Sequence, residues 1–170
     1  FLLICTAVAC QESSLEDFSA AGGAPVLVSA STNTKNIAKT NESITATVGL
    51  TLSGPSASAF EIALRINQEA VETQIKDGTL KDAVAISAAA IQIDNVAKVS
   101  YGSDAAVFKI TISRTEVERY FGKKIAIGYT LDNATKDNQV DKDNDTGVIL
   151  FNTSELLTDE DIHYISLQTG

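Results

Sequence analysis

Residues 44–52, Ile44-Thr45-Ala46-Thr47-Val48-Gly49-Leu50-Thr51-Leu52, alternate strictly between one apolar set and one small or polar set. Successive side chains of a β-strand point to opposite faces, so this period of two predicts a strand with one buried side and one solvent-facing side. The next four residues, Ser53-Gly54-Pro55-Ser56, are typical of a turn. This region therefore predicts a strand of a half-buried sheet.

Similar strand patterns recur on both sides of that stretch. Together they predict about seven short strands, the others being residues 26–28, 60–66, 96–101, 108–112, 125–131 and 148–151. The unbroken apolar run at 148–151 predicts a strand covered on both faces. The Ala-rich residues 83–93 predict a loop followed by a short strand. Short strands separated by turns favour an all-β fold, an immunoglobulin-like β-sandwich.

Two short helices are predicted as crossovers packed on the ends of the sheets. Asn67 is a suitable N-cap for the first, which Gly78 ends. Ser113 and Glu116 form a capping-box pattern at the start of the second, which Gly122 ends. Helices this short need tertiary packing to be stable.

The composition excludes several function classes. The chain has 170 residues with 13 Lys+Arg and 22 Asp+Glu, a net charge of −9, and no basic cluster, so we expect no nucleic-acid binding. One His and two Cys are too few for a zinc site of the Cys/His type. The chain has no Gly-x-Ser-x-Gly elbow to accompany His163, and we predict no catalytic residue.

The N-terminus predicts export and lipidation. Residues 1–9 read as the remainder of a signal peptide, because the apolar run is shorter than the roughly 20 residues of a membrane span. Ala7-Val8-Ala9-Cys10 resembles a bacterial lipobox, in which the cysteine is acylated after cleavage. On this interpretation Cys10 carries the lipid, Cys5 is removed, and residues 10–23 form a flexible tether. The alternatives are an ordinary secretory peptide or a buried N-terminal strand.

Five stretches in order carry a resemblance to a known module: residues 44–55, 62–67 with the helix after them, 105–111, 125–131 and 144–150. They resemble the immunoglobulin-like N-terminal domain, a domain of unknown function, of Bacteroidetes surface lipoproteins. The resemblance covers residues 24–153. Residues 154–170 remain as a C-terminal tail or the start of a linker, in which Ile162 and Tyr164 indicate one more strand.

The resemblance implies a location and a role. Such modules sit on the outer surface of the bacterial outer membrane, held by acyl chains that here would be on Cys10. They often belong to systems that capture polysaccharide, with outer-membrane transport proteins as partners. We therefore expect a secreted, lipid-anchored, non-catalytic binding or spacer module. The alternatives are a structural protein–protein interaction module of an outer-membrane complex, or a small hydrolase with a carboxyl pair about 5–9.5 Å apart.

An acidic segment at 137–147 suggests a cation site. Asp141, Asp143 and Asp145 have the i, i+2, i+4 spacing of an oxygen-ligand Ca²⁺ loop. Thr146 and Asn152 stand where an EF-hand needs Gly and Glu. The competing interpretation is a solvated hairpin connection rich in turn residues.

Carbohydrate binding requires an exposed aromatic side chain. Of the four tyrosines, Tyr129 lies in the apolar register of its strand and is predicted to be in the core, and Tyr120 is predicted to dock its helix. Tyr101 adjoins the turn at Gly102 and is the candidate for contact with a glycan.

Overall fold

The structure, a computed structural model, describes residues 25–134 and 139–157. These residues form ten strands: β1 (Val28–Ser29), β2 (Thr34–Lys39), β3 (Ser43–Leu52), β4 (Phe60–Ile66), β5 (Ala83–Ala85), β6 (Ile91–Ile93), β7 (Val96–Val99), β8 (Ala105–Ser113), β9 (Lys124–Ala134) and β10 (Thr146–Asn152). The helices are α1 (Gln68–Lys76), α2 (Arg114–Arg119) and α3 (Thr153–Leu156), and Ala88–Ala90 form a 3₁₀ turn.

The strands form two sheets of five. The first sheet has the order β1-β3-β8-β6, and β2 also pairs with β3. The second has the order β10-β9-β4-β7, and β5 runs parallel to β9. The predicted β fold with two sheets is confirmed. The predicted number of about seven strands is wrong, since the described residues contain ten.

The longest ladder joins β3 and β8 and contains the stretch that predicted the fold. It runs antiparallel from the pair Ser43–Ser113 to the pair Thr51–Ala105. The apolar face predicted for β3 is buried, and it consists of Ile44, Ala46, Val48, Leu50 and Leu52. The period-two prediction is confirmed, because only one face of this ladder is covered by the other sheet.

Tyr129 connects the two sheets. Its side chain is fully buried on β9, and its ring lies against Phe108 of β8 with centroids 4.9 Å apart. Its hydroxyl donates a hydrogen bond to the Ser31 carbonyl and accepts one from the Ser31 amide, each at 2.7 Å. Burial raises the pKa of Tyr129 to about 12, with the bond to Ser31 acting in the opposite direction. The prediction that Tyr129 belongs to the core is confirmed.

The strand at 148–151 differs from its prediction. Only alternate residues of β10 are buried: Gly147, Ile149 and Phe151 face inward. Val148 is half-buried, and Leu150 is 42% exposed. The prediction of cover on both faces is wrong, because α1 lies over the middle of the second sheet and leaves most of the outer face of β10 open.

Both predicted helices form, and their caps are those predicted. The Asn67 side chain accepts a hydrogen bond from the Ala70 amide, and the Ser113 side chain accepts one from the Glu116 amide. Gly78 and Gly122 follow the helices with φ of 81° and 82°, a conformation that glycine adopts without strain.

Helix α1 packs on the outer face of β9 at Gly128. The amide of Gly128 donates to Oε1 of Gln68, and its carbonyl accepts from the Asn67 amide, both at 2.8 Å. Nε2 of Gln68 donates to the carbonyl of Ile86 at 2.8 Å and to that of Ala126 at 3.3 Å. The Gln68 side chain therefore bonds to β9 where neither β4 nor β5 reaches.

Two elements have no sequence signal of their own. Strand β2 is exposed along almost its whole length and contains a bulge between Lys35 and Ala38, so it shows no buried alternation. Helix α3 is a single turn, and Leu156 and the following Leu157 are buried in the core.

In the Ala-rich segment the predicted short strand is β6, but β5 was not expected.

In the part of the chain that the structure describes, no helix is long and apolar enough to cross a membrane.

Candidate functional site

Tyr101 stands at the tip of the β7–β8 turn and is 78% exposed. Gly102 has φ 73°, and the amide of Ser103 donates to the Ser100 carbonyl at 3.1 Å, which closes the turn. A single exposed aromatic side chain is ordinary on a protein surface, so this exposure makes the ring accessible to a ligand without requiring one. The structure thus places the tyrosine predicted for glycan contact on the surface.

The turn that carries Tyr101 is held in place by the neighbouring β3–β4 loop. The Gly102 amide donates to the Ser56 carbonyl at 2.7 Å, and the Ser56 amide donates to the Ser103 carbonyl at 2.9 Å. The hydroxyl of Ser56 bonds within its own loop, to the Ser58 carbonyl. Because two backbone hydrogen bonds tie the two loops together, Tyr101 is presented on an ordered support.

A shallow cleft of about 380 Å³ lies at the edge formed by β4 and β7. The last of its lining residues in sequence, Ser100, directly precedes Tyr101. Its lining consists of Ala59, Phe60, Glu61, Lys98, Val99 and Ser100. Phe60 and Val99 are buried and opposite each other, whereas Glu61 and Lys98 are exposed, with Oε1 and Nζ 3.9 Å apart. We call this cleft together with Tyr101 the Tyr101 site. It offers an aromatic face, one acceptor and one cation to a polar ligand.

A second, more polar cleft of about 530 Å³ lies at the opposite end of the β3–β8 ladder. Its lining includes Glu42, Ser43, Gln92, Thr111 and Ser113. Most of its hydroxyls are already used by the protein: Thr111 bonds to Thr45 at 2.8 Å, and Ser113 caps α2. The sequence patterns did not predict this cleft. The outward Thr and Ser positions of β3 and β8 were its only signal.

A third, smaller cleft of about 230 Å³ lies beside Arg114, Leu156 and Leu157.

Residues 141–145 of the acidic segment form a turn organised by Asp141. Its Oδ2 accepts hydrogen bonds from Oγ of Ser29 at 3.0 Å and Nδ2 of Asn144 at 2.9 Å, and its Oδ1 accepts from the amide of Asp143 at 3.1 Å. The bonds from Asn144 and Ser29 lower the pKa of the Asp141 carboxyl below its usual value. The side chain therefore fastens this turn to β1.

The other two carboxylates of the proposed Ca²⁺ loop are arranged differently. Asp143 is exposed, and Oδ1 of Asp145 accepts from the hydroxyl of Thr146 at 2.9 Å. Within residues 25–134 and 139–157, no group of three or more His, Cys, Asp or Glu side chains is arranged to hold a metal ion.

Several sequence predictions fall outside the described residues. They are the signal-peptide remainder at 1–9, lipidation at Cys10, the tether at 10–23, His163, and the strand indicated by Ile162 and Tyr164.

The described residues define a β domain of two packed sheets, with an exposed tyrosine directly after a strand that lines a shallow cleft. No protein-family model matches the chain, and no curated protein matches it.

Solved structures share this fold. A Bacteroides ovatus protein provisionally described as carbohydrate-binding aligns with a TM-score of 0.56 and 13% identity, over 74% of this chain and 36% of its own. Bacteroides thetaiotamicron EndoBT-3987, solved with a Man5GlcNAc product, aligns with a TM-score of 0.50 and 20% identity, over 65% of this chain and 26% of its own. A Bacteroides ovatus protein of unknown function aligns with a TM-score of 0.52 and 7% identity, over 75% of this chain and 52% of its own.

These similarities concern the fold. The chain spans about a third of the first protein, a quarter of the second and half of the third. It is therefore similar to one part of several longer Bacteroides proteins.

Proposed function

We propose that this chain is a non-catalytic module that is lipid-anchored at the bacterial surface and binds polysaccharide through the Tyr101 site. The observation that carries the proposal is the exposed side chain of Tyr101 on a hydrogen-bonded turn, directly after Ser100, which lines a cleft with polar side chains. Support also comes from the fold similarity to a protein provisionally described as carbohydrate-binding.

The physical basis is the amphipathic character of sugars. One face of a pyranose ring presents C–H groups, which lose water favourably on an aromatic face at roughly 25 cal/mol per Å² of apolar surface buried. The hydroxyls at the ring edge require hydrogen-bond partners, which Glu61, Lys98 and Ser100 can supply. Because hydrogen bonds already hold the turn of Tyr101, binding would order little additional backbone.

The strand order supports an immunoglobulin-like assignment of the fold. The order β1-β3-β8 corresponds to strands A-B-E of that fold, and β10-β9-β4 corresponds to G-F-C. Strands β6 and β7 depart from it, because β6 precedes β7 in the chain whereas strand D follows C′. The Tyr101 site lies at β7, the edge strand of the second sheet next to β4, and at the turn that follows it. The assignment is architectural, since the chain has no Trp to form the Cys-Trp-Cys core of antibody domains.

A non-catalytic role is supported by the linings of the clefts. Glycoside hydrolysis generally uses a pair of carboxyl groups. Among the described residues, the Tyr101 site is lined by one carboxylate, Glu61, and the second cleft by one, Glu42; the smallest cleft has none. The alternative of a small hydrolase would need a carboxyl pair that the linings of these three clefts do not contain.

We expect Tyr101→Ala to weaken polysaccharide binding about tenfold, which corresponds to about 1.4 kcal/mol. The measurement is affinity electrophoresis in gels that contain mannan, starch or xylan, followed by calorimetry with the polysaccharide that retards the wild type. Phe121→Ala is the matched control, because Phe121 is 43% exposed and lies away from the cleft, after α2. Equal retardation of the wild type and Tyr101→Ala, or no retardation of the wild type by any glycan tested, refutes the assignment.

Lipidation at Cys10 has its own test. With an initiator Met and two Lys placed before Phe1 and expression in a Bacteroides host, the chain should incorporate an alkyne-tagged fatty acid and sediment with membranes. Cys10→Ser should reduce labelling to background and release the protein. Cys5→Ser is the control and should label normally, since Cys5 lies in the segment that is cleaved off. Equal labelling of the Cys10 variant would exclude this anchor.

The alternative of a protein–protein interaction module requires an available sheet edge or loop. Strand β10, at one edge of the second sheet, pairs with β9 alone among the described residues and is the candidate edge for this alternative.

A further inference from the structure

The second cleft, of about 530 Å³, lies on the outer face of the first sheet. In the sheet register Gln92 of β6 lies beside Thr111 of β8, and Ser43 of β3 lies beside Ser113. Paired residues of a ladder share one face of the sheet. Ile112, between the two polar positions of β8, is buried on the opposite face. The polar side chains therefore line the cleft from the solvent side.

Two side chains of the second cleft have unused hydrogen-bonding capacity. The backbone of Glu42 is engaged, because its amide donates to Oγ1 of Thr40 at 3.2 Å and its carbonyl accepts from the Arg114 amide at 2.9 Å. Within residues 25–134 and 139–157, its carboxylate and the side-chain amide of Gln92 make no hydrogen bond or ion pair. A carboxylate offers two acceptors, and a primary amide both donates and accepts.

The hydroxyls of the second cleft add donors. Oγ of Ser113 accepts from the Glu116 amide at 3.3 Å, which leaves the proton of this hydroxyl for another acceptor. The hydroxyls of Thr45 and Thr111 share one hydrogen bond at 2.8 Å, so one of their two protons is also left over. A ligand in this cleft therefore meets donors and acceptors together.

The lining of the second cleft selects against other classes of ligand. Among the described residues it contains no Lys or Arg, and its single carboxylate, Glu42, repels anions and is too few for a Ca²⁺ site. Lys109 and Asp94, in the next row of the sheet, have opposite charges and add no net attraction for an anion. The apolar part of the lining is small and consists of Ala89, Ala90 and Ile112.

We propose that the second cleft binds a neutral saccharide through hydrogen bonds, with Glu42 accepting from ligand hydroxyls and the Gln92 amide both donating and accepting. A saccharide fits because each of its hydroxyls can donate and accept on one compact ring. The cleft and the Tyr101 turn lie at opposite ends of the β3–β8 ladder, whose nine register pairs span roughly 27 Å. This site therefore goes beyond the proposed function and does not depend on Tyr101.

The test uses the full chain labelled with ¹⁵N, with maltotriose, mannotriose and xylotriose as probes. We expect at least one triose to shift the side-chain amide signal of Gln92 and the backbone amide signals of Thr111 and Ser113 in a saturable way. Tyr101→Ala should leave these shifts unchanged. Trigalacturonate is the matched anionic probe and should bind about fivefold more weakly.

Two variants locate the binding. Gln92→Val keeps a residue suited to a strand and should weaken triose binding about fivefold. Glu42→Gln should weaken triose binding and also reduce the rejection of trigalacturonate, a change of preference that a loss of structure would not produce. Glu72→Gln is the matched control and should change neither, because Glu72 is exposed on α1, which packs on the second sheet.

Four results would overturn this inference. They are no shift with any of the three trioses, shifts confined to the Tyr101 turn, equal binding by the Gln92→Val variant and the wild type, and equal shifts of the same signals with the uncharged peptide Gly-Ser-Gly-Ser. The last result would identify a peptide as the ligand. If the cleft signals shift while Tyr101→Ala binds polysaccharide like the wild type, this inference is supported and only the proposed role of the Tyr101 site is refuted.

Discussion

Gly128→Val should lower the free energy of unfolding by roughly 4 kcal/mol, through overpacking and loss of the burial of Val71. A Cβ at this position would overlap the Asn67 carbonyl oxygen and lie 3.0 Å from Cγ2 of Val71. Helix α1 would have to move away from β9, and the hydrogen bonds of Gln68 would be lost with it. A loss this large is a substantial part of the 5–15 kcal/mol that stabilises a typical domain.

The measurement is urea unfolding followed by circular dichroism, and Gly49→Val is the matched control. Gly49 is also in a strand interior, but a Cβ there meets nothing within 4 Å. Valine favours strands, so this control should be neutral or slightly stabilising. Equal destabilisation by both variants would show that strand conformation, and not the contact with α1, determines the effect.

Tyr129→Phe should destabilise the protein by about 2 kcal/mol, because it leaves the amide and carbonyl of Ser31 without their partner. The ring and its contact with Phe108 are retained, so cavity formation does not contribute. Tyr101→Phe makes the same chemical change at an exposed position and should have almost no effect on stability.

Replacing Tyr129 should also change how the free energy of unfolding depends on pH in the alkaline range. The pKa of Tyr129 is about 12 in the folded protein, above the value of about 10 expected when unfolded. The folded state therefore holds this proton more strongly, and its stabilising contribution is complete below pH 10. It is lost as the pH rises from about 10 to about 12, at up to about 1.4 kcal/mol per pH unit.

Tyr129→Phe lacks this contribution, so the stability difference between wild type and variant should narrow across that range. Urea titrations at pH 8, 10 and 11 measure the difference, and the effects of the other titrating groups cancel in it. A difference that stays constant with pH would contradict the assigned cause.

The parts of the fold that local chemistry determines could be predicted well. The alternation at residues 44–52, the cap at Asn67 and the cap at Ser113 each depend on residues adjacent in sequence, and each is confirmed. Tyr129 was placed in the core by its register alone. Tyr101 was identified as exposed because it adjoins a turn.

Other features depend on which segments the fold brings together. Strand β2 has no apolar period, because it is exposed nearly throughout and is held by the edge of β3. Gln68 resembles any surface glutamine in the sequence, and only the packing of α1 on β9 shows that it replaces a strand partner. The cleft of the Tyr101 site joins residues from β4 and β7, which are about 40 positions apart.

By itself, the sequence determined that the chain builds strands with one apolar side, where helices α1 and α2 begin, and that one tyrosine is buried while another is exposed. Side-chain period and capping act over a few residues, so they can be read without knowing the neighbours. The tertiary structure alone decided that Gly128 must lack a side chain, that Asp141 fastens a turn, and that β10 pairs with β9 alone among the described residues. Those properties arise from contacts between segments distant in sequence, and a linear pattern does not specify which segments meet.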